Sequence, residues 1–232
     1  MRPAHPDSAA FPMIDYWRQL DFVGPSDLTF EVSIIGVGGL GSPIALALAK
    51  MGCSRLVLID PDTVEPHNLP NQLYRRSDID RPKVEALASI LGDYTDASIE
   101  PIRELVSDRQ FSGIVVSAVD NMAARQRIWD ACIRYRASVL LYVDARLGGE
   151  VGRVLTVHPA DPLSVAAYET TLYSDDAASN EPCTAQSTIY TTFGIAALVA
   201  NQVKRYAKAE ELLGDQVLDF ATSTLLGSGG TS

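Results

Sequence analysis

The sequence predicts a Rossmann-like, doubly wound α/β domain, and three observations predict it. β-rich runs alternate with segments of helical period. Those runs are apolar along their whole length, as parallel strands buried on both faces are. A G-x-G-x-x-G spacing, Gly36, Gly38 and Gly41, directly follows the first run.

The elements follow in order. Residues 1–13 hold three prolines and little hydrophobicity, and predict a flexible N-terminal tail. FEVSIIG, residues 30–36, is the first strand. Residues 43–51 place Ile44, Leu48 and Met51 on one helical face. RLVLID (55–60) is the second strand, and Pro82 opens a helix whose Val84, Leu87 and Leu91 share a face. GIVVSA (113–118) is a third strand. A helix over 123–136 carries Ile128, Cys132 and Tyr135 on one side, before strands at 138–144 and 153–157. Residues 160–186 are polar and acidic, too long for an idle connection, and read as a functional loop. A last helix spans about 191–213, and LLGSGGTS predicts a flexible Gly/Ser tail over 223–232. Residues 14–222 therefore form a single domain.

Composition excludes several functions. The chain has 232 residues, with 19 Lys plus Arg against 29 Asp plus Glu, for a net charge of −10. That field repels phosphate backbones and anionic lipid, so neither nucleic acid nor a membrane is the expected partner. No apolar run approaches membrane-spanning length and no secretory leader is evident, which predicts a soluble, cytoplasmic protein. Cys53, Cys132 and Cys183 are too few and too scattered for a disulfide framework or a Cys-only zinc site, so no zinc is expected.

The glycine loop points to a nucleotide. Gly36 permits the tight turn, Gly38 lets backbone approach phosphate, and Gly41 allows close helix–strand contact at a helix N-terminus. Asp60 ends the next strand, where a carboxylate can hydrogen-bond a ribose. A dinucleotide is the default ligand for this spacing. Yet Asp62 doubles the carboxylate, Lys83 stands at a helix start, and Asp120-Asn121 follows the third strand on the sheet edge where ligands collect. A ribose acceptor, a phosphate lysine and an aspartate suited to Mg²⁺ describe a nucleoside triphosphate better than NAD.

These motifs together resemble the ThiF/MoeB family, the adenylating domains related to ubiquitin-activating enzymes, over about residues 15–205. Tyr16-Trp17-Arg18-Gln19 is similar to the family's R-Y-x-R-Q opening. GVGGLGS and LVLIDPDTVEPHNL match its nucleotide loop and D-x-V-x-x-x-N-L segment, ending at Asn68-Leu69. RPKVEA supplies its lysine, and VDNMAARQRIWDAC its D-N-x-x-x-R run. The resemblance implies the ubiquitin-activating-enzyme adenylation-domain fold with a mixed sheet. It implies that ATP and Mg²⁺ are used to adenylate the C-terminal carboxylate of a ubiquitin-like or sulfur-carrier protein ending in Gly. Gly36, Gly38, Gly39 and Gly41 would cradle phosphate and Asp60 hold ribose, with Asp62, Asn68, Gln72 and Asn121 around the nucleotide. Lys83 would meet phosphate, Asp120 would carry Mg²⁺, and Arg125 would support the site. A homodimer is implied, Arg18 reaching the partner's nucleotide. A conjugating-enzyme-like acceptor is a further partner that the resemblance allows.

Three departures accompany it. Asn71 precedes Gln72 where the family has arginine, leaving Arg75 or Arg76 as the candidate replacement cation. The paired C-x-x-C zinc knuckle of many members is missing. No rhodanese-like or ubiquitin-fold extension follows, so the expected form is a minimal adenylation domain. In the resemblance residues 160–186 become the crossover loop, and Cys183 falls where several members keep a reactive cysteine able to take the acyl group. Cys132 and Cys53 read as core residues, and His5, His67 and His158 as loop residues. Two alternatives stay open: a non-catalytic subunit scaffolding a paralogue, and a NAD-dependent oxidoreductase.

Overall fold

The computed structural model describes residues 14–173 and 187–229. One eight-stranded sheet organises them: β1 (Glu31–Ile35), β2 (Arg55–Ile59), β3 (Ser98–Ile102), β4 (Gly113–Ser117), β5 (Val139–Gly148), β6 (Val151–Val157), β7 (Leu213–Asp219) and β8 (Thr224–Gly229). Their spatial order is β3-β2-β1-β4-β5-β6-β7-β8. Pairings among the first five positions are parallel, and β5–β6, β6–β7 and β7–β8 are antiparallel, so the sheet is mixed.

Helices cover both faces. On one face α1 (Gly41–Met51), α2 (Lys83–Leu91) and α5 (Ile189–Ala207) bury Ile44, Leu48, Leu87, Ile195 and Val199 against Ile34, Leu58, Val116 and Val143. On the other, α3 (Met122–Ile128), the single π turn Trp129–Ile133 that continues it, and α4 (Pro162–Glu169) bury Ile128, Trp129, Val165 and Tyr168 against Ile35, Val57, Val115 and Tyr142. Alternate residues of each central strand thus enter opposite cores, which is why the strands are apolar throughout. At the end of α1, Gly52 takes φ +101° and its N–H meets the Ala49 carbonyl, closing the helix in a left-handed cap.

Four expectations need correction. The polar stretch begun at residue 160 contains α4: Asp161 accepts from the N–H groups of Leu163 and Ser164, Pro162 occupies the first helical position, and Val165 and Tyr168 are buried. The terminal tail expected from residue 223 forms β8, whose side chains are all exposed and which is held by its ladder to β7. The last helix stops at Ala207, and Leu213 begins β7. The third helix ends at Ile133, and Tyr135 adopts φ +55°. No continuous apolar run marks β3 in the sequence. It is an edge strand, where Pro101 needs no ladder donor on its outer side. Among the described residues no helix is long and apolar enough to cross a membrane.

Candidate nucleotide site

The glycine loop joins the C-terminal end of β1 to α1, at the sheet edge where ligands of such folds gather. Its four glycines divide into two pairs. Gly36 has φ +83°, and a Cβ there would lie 2.9 Å from the Ala118 carbonyl oxygen. At Gly41 a Cβ would lie 1.8 Å from the Gly36 carbonyl oxygen, so only glycine permits this contact of helix and strand. Gly38 and Gly39 are different. A Cβ at Gly38 would meet only Gln72 Nε2 at 3.8 Å, and one at Gly39 would meet Ser187 Oγ, Thr192 Cγ2 and Asn71 Nδ2 at 3.6–3.8 Å. These two glycines have room for a Cβ, beside side chains that are mostly polar.

Buried groups hold the loop in shape. The Val37 N–H donates to Asp60 Oδ2 at 2.8 Å, and the Asp62 N–H donates to Asp60 Oδ1 at 2.9 Å. Tyr74 donates its hydroxyl to the Val37 carbonyl at 2.6 Å, and Ser42 Oγ donates to the Gly38 carbonyl at 2.7 Å. Burial raises the Tyr74 phenol well above its ordinary range, with nearby Asp60 adding to the effect, so it stays a neutral donor. Asp60 therefore fastens the loop after β1 to the loop after β2, with lone pairs to spare for a further donor.

The chain after β2 supplies the next wall. Lys83, at the first position of α2, is buried and pairs with Asp62 at 2.9 Å. Asn68 caps a short 3-10 turn, its Oδ1 accepting from the Glu65 N–H at 2.8 Å. Gln72 sets its Nε2 beside Gly38, while its Oε1 is buried without a hydrogen-bond partner among the described residues. Asn71 donates to Ser187 Oγ at 2.8 Å, which ties this wall to the start of α5. Arg75 is not brought here. Its guanidinium meets Asp93 at 3.2 Å beyond the far end of α2, ~13 Å of helix away from Lys83. Arg76 is exposed on the adjoining 3-10 turn.

Asp120 and Asn121 follow β4 on the same edge. Asn121 Oδ1 caps α3 by accepting from the Ala124 N–H at 2.7 Å, and its Nδ2 donates to Asp120 Oδ1 at 2.9 Å. Asp120 is exposed, and its second oxygen accepts no hydrogen bond from the described residues. Arg125 does not face the opening. It is buried, donating from Nε to Asp144 Oδ1 at 2.6 Å and from Nη2 to the Val119 carbonyl at 2.7 Å.

Asp144 carries no motif in the sequence, yet it is fully buried and takes three partners. Besides Arg125, Arg146 pairs with Oδ2 at 2.8 Å and the Tyr168 hydroxyl donates to Oδ2 at 3.0 Å. Arg146 also donates to the Thr171 carbonyl at 2.8 Å and to Thr171 Oγ1 at 3.0 Å. The rings of Trp129, Tyr142 and Tyr168 pack together beside this cluster.

Arg18 lies elsewhere in its own chain. It is exposed on a 3-10 turn, Trp17–Gln19, and the neighbouring Gln19 donates to the Met51 carbonyl at the far end of α1, ~15 Å along that helix from the glycine loop. Cys183 lies outside the described residues. Cys53 and Cys132 are buried and free; burial pushes the Cys53 thiol up to about 12 and also raises Cys132.

The residues present fit Mg²⁺ and ATP. Glycine backbone at Gly38 and Gly39 with room for a Cβ, the Gln72 Nε2 donor beside it and a buried lysine suit a polyphosphate. Among the described residues no group of three or more His, Cys, Asp or Glu forms a metal cage. A hard cation on Asp120 would therefore take most of its ligands from phosphate and water, as Mg²⁺ commonly does.

The chain is similar to known proteins over most of its length. The ThiF family profile matches residues 18–217. The chain is 34% identical over 132 residues to the sulfur carrier protein ThiS adenylyltransferase of Escherichia coli K12, covering 53% of each protein. It is 35% identical over 125 residues to the SAMP-activating enzyme E1 of Haloferax volcanii, 49% of this chain and 46% of that one. It is also 34% identical over 131 residues to the NEDD8-activating enzyme E1 catalytic subunit of Dictyostelium discoideum, 53% of this chain and 28% of that one. The chain spans about half the length, or less, of these curated relatives. Among solved structures, E. coli MccB with AMPCPP and MccA superposes with a TM-score of 0.69 at 19% identity, over 90% of this chain and 66% of that one. PaaA superposes with a TM-score of 0.68 at 20% identity, over 88% and 74%. Both share the fold.

Proposed function

The chain belongs to the ThiF family, and from that premise we propose that it adenylates the C-terminal carboxylate of a small carrier protein. The relatives named for ThiS, SAMP and NEDD8 support a sulfur-carrier or ubiquitin-like substrate, and the ThiF/MoeB resemblance implies that it ends in glycine. The observation that carries this reading is the convergence of the Gly38–Gly39 loop, Asp60, Lys83 and Asp120 on one sheet edge. Family membership sets the oxidoreductase alternative aside.

In the proposed reaction a carboxylate oxygen of the carrier attacks the α-phosphorus of ATP. The bond from that phosphorus to the bridging oxygen of the β-phosphate breaks, and pyrophosphate leaves. Gly36 and Gly41 set the loop so that Gly38 and Gly39 present backbone to the phosphates, and Asp60 accepts from the ribose. Lys83, released in part from Asp62, offsets charge developing on phosphate oxygens. Asp120 would hold Mg²⁺, which when bound neutralises the polyphosphate. Arg18 reaches the nucleotide of a second protomer in a homodimer, since in its own chain it stands at the far end of α1. Cys183 is proposed to take the acyl group from AMP as a thioester in a later step, in the cytoplasm, where ATP is supplied.

Pyrophosphate exchange into ATP, with candidate Gly-Gly-ended carriers, tests this. Exchange that needs a carrier and is lost in Asp120→Ala supports it. ATP binding without exchange for any carrier favours a second reading, a non-catalytic subunit, which Asn71 in place of the family arginine supports.

A further inference from the structure

We infer that Asp144 is a positioning residue for the Asp120 loop, acting through Arg125, and that Arg146 and Tyr168 bind the end of α4 to the same carboxylate. The inference rests on the proposed role of Asp120 at the nucleotide.

The geometry is that of a bracket. Two guanidinium groups converge on one fully buried carboxylate, at 2.6 and 2.8 Å, and each has a second grip on main chain. Arg125 takes the carbonyl of Val119, the residue before Asp120, at 2.7 Å. Arg146 takes the carbonyl and hydroxyl of Thr171, just past the end of α4, at 2.8 and 3.0 Å. Tyr168, on α4, adds its hydroxyl to the carboxylate at 3.0 Å. Strand pairing places the anchor, because Asp144 on β5 lies opposite Ser117, the last residue of β4 and three before Asp120.

Stability is a poor reason to keep such a cluster. It holds two cations for one anion, and a buried ion pair seldom stabilises more than apolar packing of similar volume. Its use lies in direction. Beside the packed rings of Trp129, Tyr142 and Tyr168 water has little access, so these hydrogen bonds are strong and fixed. Arg125 itself touches no open space at the cradle. It sets where the chain leaves β4, and so where Asp120 stands.

Hydrogen exchange on the full-length protein tests the bracket without requiring any reaction. The protected amides are Ala118, bonded to Ile35, and Ala124, bonded to Asn121, on one side; Thr171 and Leu172 report the end of α4. Arg125→Lys keeps the charge at Asp144 but loses the Val119 grip, and should speed exchange at Ala118 and Ala124 about tenfold, leaving Thr171 unchanged. Arg146→Lys should do the reverse, and Asp144→Asn should loosen both. Calorimetric titration of ATP with and without Mg²⁺ gives the second readout: the gain in affinity from Mg²⁺ should fall about tenfold in Arg125→Lys and Asp144→Asn while affinity without Mg²⁺ stays near wild type. A general loss of fold would not separate these two affinities. Unchanged exchange at Ala118 and Ala124 in folded Arg125→Lys overturns the inference. Should Asp144→Asn fail to fold, Arg125→Lys decides alone. A wild type that binds no ATP refutes the nucleotide reading instead, and the exchange pattern still judges the bracket.

Discussion

Gly36 and Gly41 are structural at the level of single atoms, whereas Gly38 and Gly39 are not. A methyl group at Gly41 would overlap the Gly36 carbonyl, and neither β1 nor α1 can retreat from its core. Gly41→Ala should therefore cost roughly 3 kcal/mol or more and depress the unfolding midpoint sharply. Gly38→Ala has room, so its melting temperature should stay within about 2 °C of wild type while ATP titration shows weakened binding. Equal melting temperatures for the two variants would refute this division. Thiols separate in the same way. Burial pushes Cys53 up to about 12 and raises Cys132, so neither supplies thiolate near neutral pH. Alkylation of the folded protein at pH 8 should label at most one of its three cysteines, at Cys183, and Cys183→Ala should take no label until unfolded. Labelling of Cys53 in the folded protein would contradict that burial. The glycine spacing was legible because the glycines, strand and helix are neighbours in sequence. Asp144 and Arg146 were not, because a lone Asp or Arg in a strand carries no spacing signal, and the pairing of β4 with β5 brings Arg125 to them.

At the scale of elements, legibility followed burial. β1, β2, β4 and β5 and helices α1 and α2 present apolar runs or helical periods because their side chains enter a core. β3 and β8 are the two edges of the sheet, with mostly exposed side chains, and no hydrophobic pattern marks them. What holds them is the backbone ladder to β2 and β7, a non-local property. The helix α4 did carry a local signal, Asp161-Pro162 ahead of Val165 and Tyr168, and the surrounding acidic and small residues masked it. That cap gives a test. Asp161→Ala removes both cap bonds at the N-terminus of α4 and should cost about 1 kcal/mol. Because Tyr168 lies on that helix, exchange at Thr171 should rise with it. No change in either stability or exchange would mean that packing of Val165 and Tyr168 alone secures α4.

At the scale of the whole molecule, the sheet divides the proposed labour. Its parallel half carries the glycine loop, Asp60, Lys83 and Asp120 on one edge, while the turn bearing Arg18 hangs from the opposite end of α1. No rearrangement inside the chain brings that arginine to the cradle without unpacking Gln19 and Tyr16 from the end of α1, where Gln19 meets the Met51 carbonyl. Around it Trp17, Leu20 and Phe22 are exposed, an apolar surface suited to a second copy of the chain. If Arg18 acts across that interface, Arg18→Ala and Asp120→Ala each abolish exchange as homodimers but complement one another. A mixed dimer holds one doubly damaged site and one with both residues intact. Equimolar subunits reassorting at random make half the dimers mixed, so exchange should return to about a quarter of the wild-type rate. Arg18 acting within its own chain predicts a different result, because each mixed dimer would then contain two singly damaged sites and the mixture would stay as inactive as its parts.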